Sequence, residues 1–237
     1  MTDMIEAALV LVCKRPGLGI GKQRLAASLG REAANRIAEA LLACALEDAQ
    51  AWSGPVVIAP AHSEDHAWAG ALLPQAQRGK WEVRIHPQTT GNLGHRLNML
   101  DRELRGAGLE HLVYIGSDAP VLAAADYAAV NDALINYDSV LKPAADGGVV
   151  LMASCRRWPL LSDLPWSTNR LGAALADCCR SAGQSVSMLT HGFDVDEEDD
   201  LIRLITALEG DSRPARRALH TLVGEIAHLR EADHVQL

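Results

Sequence analysis

Short runs of β-branched residues and leucine recur along the chain: AALVLVC, GPVVIAP, WEVRIH, HLVYIGSD, DSVLKPA, GVVLMAS and SVSMLT. Each is bounded by glycine, proline or polar residues, and each predicts a strand. Alanine- and leucine-rich segments with helical periodicity separate several of them, most clearly GREAANRIAEALLACALEDAQ and PVLAAADYAAVNDALINY. This alternation predicts an α/β fold: a mostly parallel, twisted sheet with helices on both faces. DSVLKPA and GVVLMAS follow one another closely, so an antiparallel element is expected near the middle. No repeat, low-complexity tract or linker interrupts the pattern, and residues 1–237 read as a single domain. The segment after Gly210, DSRPARRALHTLVGEIAHLREADHVQL, reads as a terminal helix and tail.

Composition narrows the partners. A net charge of −8 argues against general affinity for nucleic acid or an anionic membrane. An anionic substrate therefore needs a local cationic pocket, which Lys14, Arg15, Lys22 and Arg24 can supply. No apolar run is long enough for a membrane span, and MTDMIEA lacks the form of a signal peptide. Five cysteines without a C-x-x-C spacing fit reduced thiols in a cytoplasm, with Cys178 and Cys179 packed in a helix.

In sheets of this kind ligands gather at the carboxyl ends of strands, so the residues just after each apolar run carry the chemistry. KRPGLGIGKQRL, Lys14–Leu25, follows the first strand. It is neither a Walker A loop, because Pro16 and Gln23 stand at required positions, nor a G-x-G-x-x-G turn. Glycine-freed N–H groups, two cations and a following helix fit phosphate binding, and a plain strand-to-helix turn fits as well. YIGSDAP ends its strand with Gly116, Ser117 and Asp118, where a carboxylate can hold a divalent cation or cap the next helix. In KPAADGGVVLM, Asp146, Gly147 and Gly148 read first as a turn, and also as a close backbone approach to a ligand. LPWSTNRL places Trp166, Ser167 and Thr168 at a helix start, as a cap with a packed indole or as a wall of a cleft. GFDVDEEDDL is no calcium loop, since Asp199 stands where glycine is needed. Asp196 as helix cap with Asp199 in the first turn explains its acidity, while Asp194 is best placed to reach a metal. His62 and His66 in HSEDH have a zinc-compatible spacing without a third ligand, and read as a solvated helix start.

The order of these motifs is more telling than any one of them. KRPGLGIGKQRL, GNLGHRL, GSDAP, DGG, PWST and DVDEEDDL together resemble the bacterial GT-A-type candidate glycosyltransferases associated with radical-SAM and selenodomain proteins. That family lies within the nucleotide-diphospho-sugar transferase fold, and its opening motif is approximately K-x-P-x-P-G-x-V-K-T-R-L. Lys14, Pro16, Gly19, Lys22, Arg24 and Leu25 keep that register, and the likeness runs from about residue 8 to 205. Leu18, Gly21, Gln23, Asn92, His95 and Val149 depart from it, and the last three lie on the expected acceptor side.

The resemblance implies a loop from Lys14 to Arg24 facing a nucleotide, with Lys22 and Arg24 on phosphate and Gly116 and Ser117 beside it. It implies Asp118 as the catalytic, metal-holding carboxylate for Mg²⁺ or Mn²⁺, with Asp194 or Asp196 as the second ligand. Asp146, Gly147, Gly148, Trp166, Ser167 and Thr168 would line the donor and acceptor cleft. Three functions fit: glycosyl transfer from a nucleotide sugar to a small acceptor, nucleotidyl transfer from a nucleoside triphosphate with release of pyrophosphate, or nucleotide binding without catalysis.

Overall fold

A computed structural model describes residues 6–75 and 79–235 of the chain. The signal-peptide reading of MTDMIEA rests largely on residues 1–5, outside those described. The seven sequence runs form the strands β1 (Ala8–Cys13), β2 (Val56–Pro60), β3 (Val83–Ile85), β4 (Leu112–Ile115), β5 (Ser139–Pro143), β6 (Val149–Ser154) and β7 (Val186–Met188). They form one sheet in the order β3-β2-β1-β4-β6-β5-β7. β6 runs antiparallel to both β4 and β5, and the other pairings are parallel. The expected mostly parallel sheet with an antiparallel element is therefore present. The helices are α1 (Gln23–Leu29), α2 (Arg31–Ala51), α3 (His66–Leu72), α4 (Leu93–Gly106), α5 (Ala124–Leu134), α6 (Leu171–Ser181), α7 (Glu198–Ala207) and α8 (Pro214–Val235).

Alternation along β1 explains the two-faced burial. Leu9 and Leu11 join Ala45 and Ala49 of α2 and Tyr127 and Val130 of α5 on one face. Ala8 and Val10 join Leu97, Leu100 and Leu104 of α4 and Leu175 of α6 on the other. A third cluster lies among the helices alone, where Leu25, Ile37, Leu41, Leu201, Leu204, Leu219 and Val223 pack. The expected terminal helix is thus α8, and it packs against α2 and α7 rather than trailing away.

This topology gathers the site. Parallel strands β1 and β4 end at the same edge, and antiparallel β6 begins there. The loop between β5 and β6 therefore joins the loops after β1 and β4. The DGG turn closes this β5–β6 connection: the Asp146 carboxylate accepts the Gly148 N–H at 2.8 Å, and Gly147 has φ 91°. The residues after β7 follow along the same edge, where Ala144 bridges Gly192. Among the described residues, no helix is long and apolar enough to cross a membrane.

Candidate active site

A cleft of about 650 Å³ opens at this carboxyl edge. Lys14 and Pro16 enter it from the end of β1, Lys22 and Arg24 from the start of α1. Gly116, Ser117 and Asp118 come from the end of β4, Asp146 and Gly148 from the β5–β6 turn. Trp166, Ser167 and Thr168 precede α6, while Asp194 and Asp196 precede α7. Two expected residues lie elsewhere. Gly19 is absent from the lining and serves the loop, with φ 78° and its carbonyl bound by the Gln23 amide at 2.8 Å. Gly147 is also absent from the lining, and packs where an added Cβ would stand 2.0 Å from the Asn169 carbonyl.

Three carboxylates define the centre. Oxygens of Asp118, Asp194 and Asp196 all lie within 4.8 Å of one another. Backbone structure fixes this approach, because the Val195 N–H donates to the Asp118 carbonyl at 2.9 Å and ties the two loops. Gly116 leaves room beside them, since a Cβ there would meet Asp118 Oδ1 at 2.5 Å and turn that carboxylate aside. Burial, then the charges of Asp118, Asp196 and Asp146, push the Asp194 carboxyl up to about 7.

Lys22 departs from expectation. Its ammonium donates to the Val195 carbonyl and to Asp196 at 2.8 Å, and lies 3.5 Å from Asp118. The side chain is 13% exposed rather than free in solvent. Burial opposes its charge, but Asp118 and Asp196 outweigh that effect and hold its pKa above the ordinary lysine value. The residue adopts a left-handed conformation, φ 44° and ψ 41°, which costs a non-glycine residue about 1–2 kcal/mol. Arg24 behaves otherwise: it is exposed and pairs with Glu197 at 2.9 Å.

The capping expectations also change. Glu197, not Asp196, is the N-cap residue of α7, and the Asp200 carboxylate accepts the N–H groups of Asp196 and Glu197, each at 2.9 Å. Asp196 is thereby left facing Lys22. Asp118 does not cap α5, whose N-cap residue is Ala123. Thr168 forms a turn ahead of α6, accepting the Arg170 N–H at 3.3 Å, and the helix cap is Arg170. The Trp166 indole donates to the Leu161 carbonyl at 2.7 Å, so one edge packs while the ring borders the cleft. Asn92 caps α4, accepting the His95 N–H at 2.9 Å, and His95, His62 and His66 are exposed.

Arg96 of GNLGHRL also lines the cleft, a role that its place inside a helix does not signal in the sequence. Its Nη1 donates to the Gln88 side chain at 2.9 Å, and its buried Nε has no hydrogen-bond partner among the described residues. Gln88 in turn donates to the Ala59 carbonyl at 2.7 Å. Chemically, the cleft combines a carboxylate cluster suited to a hard cation with Lys14, Lys22, Arg24 and Arg96, which suit oxyanions.

Comparisons with known proteins support the fold. A candidate nucleotide-diphospho-sugar transferase from Desulfovibrio desulfuricans G20 superposes with a TM-score of 0.82 at 21% identity, over 95% of this chain and 97% of that one. A 4-diphosphocytidyl-2C-methyl-D-erythritol synthase from Anaerococcus prevotii DSM 20548 does so with a TM-score of 0.50 at 10% identity, over 84% and 97%. No curated protein matches the sequence. The fold is that of the nucleotide-diphospho-sugar transferases, as the motif order led us to expect. Residues 41–168, more than half of the chain, match the model of a family described as uncharacterized proteins conserved in bacteria (DUF2064), and the chain belongs to that family.

Proposed function

We propose that this protein is a cation-dependent transferase using a nucleotide-activated donor, and that it transfers a glycosyl group from a nucleotide sugar to a small acceptor. The supporting observation is the cluster of Asp118, Asp194 and Asp196 with Lys22 inside a cleft at the sheet's carboxyl edge. The cluster fits a divalent cation by its own chemistry: three carboxylates converge, and a cationic ammonium already stands among them. Asp118, Asp194 and Asp196 would hold Mg²⁺ or Mn²⁺, which when bound supplies charge neutralisation for a departing diphosphate.

The chain's own residues then have separable tasks. Lys14, Lys22 and Arg24 orient phosphate oxygens. Arg96 offers a further fork of donors within the cleft. Trp166, Leu97, Tyr114 and Met152 give part of the cleft a largely apolar lining.

The choice of glycosyl over nucleotidyl transfer rests on the resemblance in the motifs. Incubation with Mn²⁺, a panel of nucleotide sugars or nucleoside triphosphates, and candidate acceptors tests it through the leaving group. A nucleoside diphosphate product is expected. Pyrophosphate from a triphosphate, with no turnover of any nucleotide sugar, would replace this reading with nucleotidyl transfer.

A further inference from the structure

We infer that the ligand of this cleft is the divalent-cation complex of a phosphate donor, taken as one unit, because Lys22 holds the cation position closed until phosphate draws it away. The inference rests on the cation site proposed above and specifies the form in which its ligand enters.

The geometry is that of an ammonium already engaged by the carboxylate cluster. A lysine carries three N–H donors; Lys22 gives hydrogen bonds to the Val195 carbonyl and Asp196 and stands in a longer ion pair with Asp118. Its nitrogen is 2.8 Å from Asp196 Oδ1 and 3.5 Å from Asp118 Oδ2. A cation bound by the same oxygens lies about 2.0–2.6 Å from each. Ammonium and divalent ion would then share one set of ligands at close range, as like charges. They exclude each other.

Each ligand alone meets an opposing cost. A free cation must evict Lys22, which loses two hydrogen bonds and its Asp118 ion pair with nothing offered in return. A free diphosphate meets the carboxylates of Asp118, Asp194 and Asp196, and the one cation among them is already engaged. The complex removes both costs at once. Its metal replaces the ammonium among the carboxylates, and its phosphate oxygens give Lys22 new acceptors. Lys22 is well placed for such an exchange, at the junction of the Gly19–Gly21 loop with α1. Cation and phosphate should therefore strengthen each other's binding by the same factor, as linkage requires.

Protein-bound Mn²⁺, read by equilibrium dialysis with pyrophosphate equal on both sides of the membrane, tests this without turnover. The probes are Mn²⁺ alone and Mn²⁺ with inorganic pyrophosphate, against the parent, Lys22→Met and Lys22→Asn. Asparagine tolerates the left-handed backbone at this position and covers the case in which methionine perturbs folding. Without pyrophosphate, both variants should bind Mn²⁺ at least about tenfold more tightly than the parent. Pyrophosphate should tighten Mn²⁺ binding by the parent at least about tenfold, and that gain should largely vanish in the variants. Variants that bind Mn²⁺ no better than the parent, or show the same gain, would overturn the inference while leaving the cation site standing. A fourth protein, Asp118→Asn, isolates the underlying reading. If it binds Mn²⁺ as the parent does under both conditions, the site itself is misplaced and the inference falls with it.

Discussion

Asp194 shows how neighbours decide a residue's chemistry. Its carboxyl ordinarily titrates at 3.8 and here reaches about 7, through burial and then the charges of Asp118, Asp196 and Asp146. Between those values the native state keeps a proton that the unfolded chain has lost. Stability is therefore greatest at the acidic end of this window and falls as pH rises from about 4 to 7. Asp194→Asn removes this contribution, so its melting temperature relative to the parent should climb across that interval. A constant difference between the two proteins would show that Asp194 titrates normally. Gly147 is a second case. With φ 91° and the Asn169 carbonyl against the missing Cβ, Gly147→Ala should cost at least about 1–3 kcal/mol in a denaturant titration. An alanine variant as stable as the parent would contradict the packing role. The sequence made both residues visible as candidates, because acidic and glycine positions after strands stand out. It did not show that Asp194 is half-buried among like charges, that Lys22 is ion-paired, or that Gly147 supports rather than lines the cleft. Those properties depend on residues from other loops, Asp118 and Asp146 for Asp194, Asp196 for Lys22 and Asn169 for Gly147, which no local spacing encodes.

At the scale of elements, the strands were legible and the last helix was only half so. Each strand run is short, apolar and punctuated, and local pattern suffices to define it. The run RPARRALH, in contrast, carries three arginines and looks like solvent-exposed helix, yet Arg216 is 0% exposed. Its guanidinium pairs with Asp48 at 2.6 Å and Glu47 at 2.9 Å, both on α2. It also donates to the Pro120 carbonyl at 3.1 Å, two residues beyond Asp118. Arg213 donates to the Leu122 carbonyl at 2.7 Å in the same loop. Helix α8 thus braces the connection that carries Asp118. Arg216→Met leaves Asp48 and Glu47 without their main cation and should destabilise the fold by about 3–5 kcal/mol. Chemical denaturation checks this, and a loss below about 1 kcal/mol would mean the network is dispensable. Only tertiary structure reveals such a residue, since its partners come from α2 and the β4–α5 loop.

For the whole molecule, topology is what turns scattered motifs into one site. The loops after β1, β4 and β7 and the turn before β6 meet because every other strand of the sheet is parallel while β6 reverses. In a protein of net charge −8, the carboxylates and cations of this cleft then stand close enough for opposite charges to pair. The order of motifs pointed to this arrangement, and the choice of donor, acceptor and transferred group depends on the shape and charge of the completed cleft. The central claim is that a divalent cation and a nucleotide bind together at Asp118. Its most direct test is calorimetric titration of nucleoside diphosphates and nucleotide sugars, with and without Mn²⁺, into the parent and Asp118→Asn. The account predicts Mn²⁺-dependent nucleotide binding by the parent, weakened at least about tenfold in Asp118→Asn, a change of about 1.4 kcal/mol or more. Equal Mn²⁺-dependent binding by both proteins, or binding indifferent to Mn²⁺, would contradict it.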